Sequence, residues 1–100
     1  MLRISTEQEK NQIILRIEGK LINPWTKELE RAWQVLADTL GTKKLFLDIR
    51  GTTFVDQSGR ELLGRIVRMA NANMLADSPL TRQFVDEVRQ VGINDERKQQ

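Results

Sequence analysis

Leu2 and Ile4 alternate with Arg3 and Ser5 at the start of the chain. After the polar run "TEQEKNQ", Ile13, Leu15 and Ile17 alternate with Ile14, Arg16 and Glu18. Two segments of period two joined by a polar turn predict an antiparallel pair of strands, each with one face to the core, and Gly19 is placed to end the second. Asn23-Pro24 is a helix-start signal, since Asn caps free amides and Pro is tolerated in the first turn. Trp25, Leu29, Ala32, Trp33, Leu36, Ala37 and Leu40 then recur at intervals of three and four, an apolar stripe on a helix that Gly41 stops. "KLFLDI" is a nearly unbroken apolar run, the pattern of a strand covered on both faces in a mixed or parallel sheet. Strand, helix and strand in this order form a crossover unit, with the helix covering one face of the sheet.

A second helix is expected from Ser58 to about Ala72. At about 100° per residue, Leu62, Leu63, Ile66, Val67, Met69 and Ala70 fall on one side; Arg60, Glu61, Gly64, Arg65, Arg68 and Asn71 fall on the other. "NMLAD" reads as a short apolar strand. Ser78-Pro79 opens a third helix with Leu80, Phe84, Val85, Val88 and Val91 inward and Gly92 as its stop. The fold class is therefore α/β: a small mixed sheet of four strands with helices packed largely on one side. Residues 1–93 form a single domain and 94–100 a frayed polar tail.

Composition narrows the chemistry. One hundred residues make one domain around one core, and 39% apolar with 30% charged residues describe an ordinary globular chain. The net charge of +2 comes from interspersed signs, without the one-sided basic cluster that a nucleic-acid surface needs. Cysteine and histidine are both absent, which removes disulfides, thiolate sites, Ser-His-Asp and Cys-His arrangements and most zinc and iron sites. No apolar run approaches a membrane span, and "MLRISTEQEK" has charges where a signal peptide needs apolar residues. The expectation is a cytoplasmic chain without cofactor, membrane partner or nucleic-acid partner. Both tryptophans lie on the core-facing stripe, so core packing is expected of them rather than ligand stacking.

The chemistry that remains is concentrated in "DQSG", Asp56 to Gly59, between a strand and a helix. Asp56 is a good N-cap, and Ser58 followed three residues later by Glu61 is a capping-box pattern. The same turn lies where α/β folds place their sites, at the carboxyl end of the sheet. Gly59 would leave the serine's surroundings open. A phosphate on Ser58 would sit at the positive end of a helix with Arg60 as counter-charge, while Asp56 would repel it. Asp48, Asp56 and Glu61 are the nearby carboxylates; acid-base work or a Mg²⁺ site is the enzymatic alternative, against a strand end, a cap and a surface charge. "DQSGRE" is no phosphate-binding Gly-rich loop.

The stretch "LFLDIRGTTFVDQSGRELLGRI" resembles the signature of STAS domains, the anti-sigma factor antagonists and their relatives. In that family a hydrophobic strand ends in Asp, a Gly-x-x-Phe-x-Asp segment follows, and a D-S-S-G-like turn opens a helix. Ile17, Gly19 and Leu21 in "IEGKL" approximate its L-x-G-x-L piece. The resemblance implies a cytoplasmic, non-enzymatic interaction module that, in the antagonist branch, binds a serine-kinase anti-sigma factor and is switched off by phosphorylation of the turn serine. That serine maps onto Ser58, with Asp56, Gln57, Ser58, Gly59, Arg60, Glu61 and Arg65 as the partner-binding surface. Gln57 replaces a common first Ser or Thr, "RELLGRI" changes the charge of the contact face, and "ANANMLADSPLTRQF" is short of the expected Gly-rich turn and full strand. The shorter end and "NPWTKELERAW" look more like a divergent bacterial STAS group, some of whose members lack the turn serine. An unphosphorylated scaffold or transport-complex subunit is the alternative role.

Overall fold

The computed structural model describes residues 1–98, with side chains described as far as Val91. Its spine is β2 (Gln12–Leu21), which pairs along one edge with β1 (Leu2–Gln8) in antiparallel register from Leu2↔Gly19 to Gln8↔Ile13. Its other edge is shared by two parallel strands in tandem. Residues 12–16 of β2 pair with β3 (Lys44–Asp48), and Gly19–Leu21 pair with β4 (Thr52–Val55). The short β5 (Asn73–Leu75) pairs parallel with β3 and completes a mixed sheet of 5 strands, one more than expected. The additional strand is β4: its four residues carry little period-two signal, and its ladder depends on β2 continuing beyond Gly19.

Gly19 does not end β2. Its φ of 95° lies in the region that glycine tolerates and other residues avoid, and the β2–β4 register shifts between Gly19 and Lys20. The irregularity is held by hydrogen bonds. Gly19 N–H donates to the Gly51 carbonyl at 3.0 Å, and the buried Thr52 hydroxyl donates to the Ile17 carbonyl at 2.7 Å. Ile17 and Leu21, on either side, are wholly buried.

The inner face of the sheet carries Ile13, Leu15, Ile17, Leu45 and Leu47, which join one core with residues from three helices. From α1 (Thr26–Leu40) come Leu29, Trp33 and Leu36, and from α2 (Gln57–Ala70) come Leu62, Leu63 and Ile66. Phe84, Val85 and Val88 come from α3 (Pro79–Lys98). Ser78 caps α3: its Oγ accepts from Thr81 N–H at 3.1 Å, and Thr81 Oγ1 accepts from Ser78 N–H at 3.0 Å. A lone glycine costs a helix interior about 1 kcal/mol and need not end it; α3 continues past Gly92. The expected tail therefore overlaps helix, and its last residues, 99 and 100, lie outside the described residues.

Several apolar positions expected in the core are exposed. Helix α1 begins at Thr26, because Asn23, Pro24 and Trp25 form a preceding turn in which Asn23 caps nothing; Trp25 is 43% exposed, whereas Trp33 is buried. Met69 and Leu80 point to solvent, as does Ala37, while Gly64 is buried against Val88 and Val91 of α3. β3 is covered on one face only. Its Phe46 and Asp48 lie on the outer face with Ile14 and Arg16 of β2, where Asp48 anchors a chain of ion pairs. The Asp48 carboxylate accepts from Arg50 at 2.9 Å and Arg16 at 3.1 Å, and Arg16 reaches on to Glu7 of β1 at 3.2 Å.

Candidate functional site

The turn at 56–59 stands at the carboxyl end of the parallel β2–β4 pair, as expected, although the strand that delivers it is β4 rather than β3. Asp56 is the N-cap of α2: Oδ1 accepts from Gly59 N–H at 2.8 Å. Its other oxygen, Oδ2, accepts from the Asn23 N–H at 2.9 Å, so a single carboxylate ties the β2–α1 loop to the start of α2. Ser58, in the first turn of the helix, is exposed and takes no part in the cap, and the Ser58–Glu61 capping box is not formed. Glu61 instead accepts from the Gln57 side chain at 3.2 Å. Both Asp56 and Ser58 have capping chemistry, but only Asp56 precedes the first helical residue with extended backbone, the geometry that a cap requires.

Gly59 does not open space around the serine; it is buried. A Cβ at this position would lie 2.6 Å from the Leu21 carbonyl oxygen and 2.8 Å from Val55 Cγ1, so the missing side chain lets the helix start sit directly on the ends of β2 and β4. Arg60 is turned away from Ser58 and donates to the Val55 carbonyl at 3.1 Å, so it closes the strand end rather than supplying a counter-charge at the hydroxyl.

Ser58 instead lines a groove of ≈ 500 Å³ between α1 and α2, with Thr26, Lys27 and Glu30 from α1 and Glu61, Leu62, Arg65 and Arg68 from α2. Positions 58, 61, 65 and 68 share one helical stripe at 3.6 residues per turn. Arg65 crosses the groove to Glu30 at 3.3 Å. Of the seven residues expected on the partner surface, Ser58, Glu61 and Arg65 line the groove, Gln57 bonds Glu61, and Asp56, Gly59 and Arg60 are committed to the cap and the strand ends; the α1 side of the groove is not among them. Lys27 and Glu30 fall on the solvent side of the α1 stripe, and only the packing of the two helices brings them to Ser58. Asp48 stands apart, on the outer sheet face. The Arg50 guanidinium, with its backbone amide and Arg16 assisting against burial, holds the Asp48 carboxyl down to about 2. Among the described residues, no group of three or more acidic side chains is placed to hold a metal ion. No described helix is long and apolar enough to cross a membrane.

The two roles at the turn separate by stability. Asp56→Ala is expected to cost about 1–2 kcal/mol by loss of the cap, and Ser58→Ala to stay within about 0.5 kcal/mol. Urea denaturation of both variants checks this, and equal losses would contradict the assignment of the cap.

No protein-family model matches the sequence, nor does any curated protein. Solved structures share its fold. The anti-sigma factor antagonist SpoIIAA in its unphosphorylated form aligns with a TM-score of 0.57 at 15% identity, over 81% of this chain and 79% of that one. An antisigma-factor antagonist STAS domain from Rhodobacter sphaeroides aligns with a TM-score of 0.58 at 20% identity, over 75% of this chain and 84% of that one. Mglu aligns with a TM-score of 0.61 at 19% identity over 75% of this chain, which spans 19% of Mglu's length. The chain has a STAS-like, SpoIIAA-like fold.

Proposed function

We propose that this chain is a regulatory protein-interaction module that docks its partner through the start of α2 and the α1–α2 groove, with Ser58 as a phosphoacceptor. The observation that carries the reading is the division of labour at the turn. Asp56 supplies the cap, which leaves the Ser58 hydroxyl exposed in a groove rather than committed to the fold. The shared fold with two anti-sigma factor antagonists supports an anti-sigma factor or related serine kinase as the partner class. A phosphate on Ser58 adds roughly two negative charges where Lys27, Arg65 and Arg68 face Glu30 and Glu61. It competes with Glu30 for Arg65 and reverses the balance of the groove.

Affinity capture from the native host, followed by mass spectrometry of the chain and its partner, tests this. The expected result is one phosphate, on Ser58, absent from Ser58→Ala, and partner binding that Ser58→Asp weakens. Phosphate confined to another residue would overturn the switch. Full binding by wild type, Ser58→Ala and Ser58→Asp, with no phosphate found, would instead identify an unregulated scaffold.

A further inference from the structure

Strand β1 is at one end of the sheet order, with β2 on one side and no second strand partner among the described residues. It is seven residues long, pairs in unbroken register and contains no proline, so it lacks two devices that commonly protect an edge. The hairpin fixes which backbone groups are free. Glu9 N–H donates to the Gln12 carbonyl at 2.8 Å, and hydrogen-bonded pairs alternate along an antiparallel ladder. Glu7, Ser5 and Arg3 therefore bond to β2, and the amides and carbonyls of Leu2, Ile4, Thr6 and Gln8 face outward.

We propose that this edge pairs with the same edge of a second copy, antiparallel about a two-fold axis at Ser5, to form one continuous sheet across a homodimer. Centred on Ser5, the pairing sets Leu2 opposite Gln8, Arg3 opposite Glu7 and Ile4 opposite Thr6, and it uses all seven residues of β1. The outward groups of Leu2, Ile4, Thr6 and Gln8 then meet one another, as the alternation demands. Arg3 and Glu7 fall at non-hydrogen-bonded positions, where facing side chains are closest. Both are exposed on the outer face, where Glu7 already meets Arg16 of its own chain at 3.2 Å, so the dimer sets Arg3 of the other copy beside each Glu7 as a second cation. Moving the axis to Ile4 or Thr6 pairs fewer residues and separates Arg3 from Glu7. On the helix side of the same edge, Ile4 and Thr6 line a groove of ≈ 460 Å³ with Ala32, Val35 and Leu36 of α1. Val35 is 73% exposed in the single chain, and the two-fold brings these grooves together.

Sedimentation of the intact chain from micromolar to millimolar concentration should show a species of twice 11.6 kDa. Arg3→Glu should return it to the monomer mass, and Arg3→Glu combined with Glu7→Arg should restore the dimer. Thr6→Pro removes an outward amide without touching the β1–β2 ladder, and should also give monomers. The chain has no cysteine of its own, so Ser5→Cys gives a single thiol at the axis. There the paired Cα atoms are about 4.5 Å apart, within disulfide reach, and oxidation should cross-link the dimer; Lys10→Cys, in the hairpin turn, should not. Circular dichroism verifies that each variant is folded. A wild-type chain that stays monomeric at millimolar concentration overturns the proposal. So does a dimer that survives Thr6→Pro and fails to cross-link through Ser5→Cys, since that dimer uses another face.

Discussion

Replacing Gly59 with alanine is expected to destabilise the protein by about 1–3 kcal/mol, the range for forcing an extra methyl into a packed site. Alanine is the better helix former by about 1 kcal/mol, so the local preference acts in the opposite direction and is overridden. The reason is steric: the new Cβ would lie 2.6 Å from the Leu21 carbonyl oxygen, a backbone atom at the end of β2 that cannot rotate aside. Gly64, five residues along the same helix, is the control. A Cβ there meets the Val88 carbonyl oxygen and Val91 Cγ1 at 3.6 Å, ordinary contact distance, so Gly64→Ala should be neutral or stabilising by up to about 1 kcal/mol. Urea denaturation of the two variants is the measurement. Opposite signs confirm that α2 starts in contact with the strand ends, and a stabilising Gly59→Ala would contradict it.

The second large effect concerns Asp48. Its folded value is lowered to about 2 from an ordinary 3.8, chiefly by the hydrogen bond from Arg50. A carboxyl lowered in this way contributes stability that is fully present above its unfolded value and is lost as pH falls through the folded one. The window is therefore between about pH 4 and pH 2, and the loss is roughly 2 kcal/mol. Asp48→Asn keeps the shape of the side chain but removes the charge that Arg16 and Arg50 share. It should cost a similar amount at neutral pH and flatten the acid limb of the stability curve. Denaturation midpoints of both proteins between pH 2 and pH 7 check this; parallel pH profiles would show that Asp48 contributes nothing to the acid transition.

Local periodicity carried the elements whose burial is set by their own spacing. Leu29, Trp33 and Leu36 are buried at helical intervals, and Ile13, Leu15 and Ile17 are buried at strand intervals. It failed where a residue's environment is made by distant chain. β4 is a strand because β2 runs on past Gly19, and nothing within "TTFV" announces that partner. Trp25 continues the apolar spacing of α1 but precedes the helix, because the turn at Asn23 and Pro24 takes the place of its expected first residues.

The candidate site shows the same division. "DQSG" identified the turn, and residue types alone could not divide capping from exposure between Asp56 and Ser58, since both side chains accept from free amides. The register of β4 with β2 decides it, by setting the residue at which the chain leaves the sheet. Lys27 and Glu30 could not be joined to Ser58 in advance, because the contact of α1 with α2 is set by tertiary packing rather than by the spacing within either helix.

The sharing of one edge of β2 by β3 and β4 also bears on how the chain reaches its native state. The β1–β2 hairpin closes over a two-residue turn and can assemble early, but the parallel ladders join residues as distant as Leu21 and Val55, 34 positions apart. Closing such loops costs entropy before any contact offsets it. Both ladders use β2 as their template, β3 on its straight half and β4 on its shifted half. The central strand is thus expected to limit the rate of folding as well as to hold the sheet together. Substitutions at the Gly19 irregularity should act on the rate of folding through a step that the local hairpin does not share.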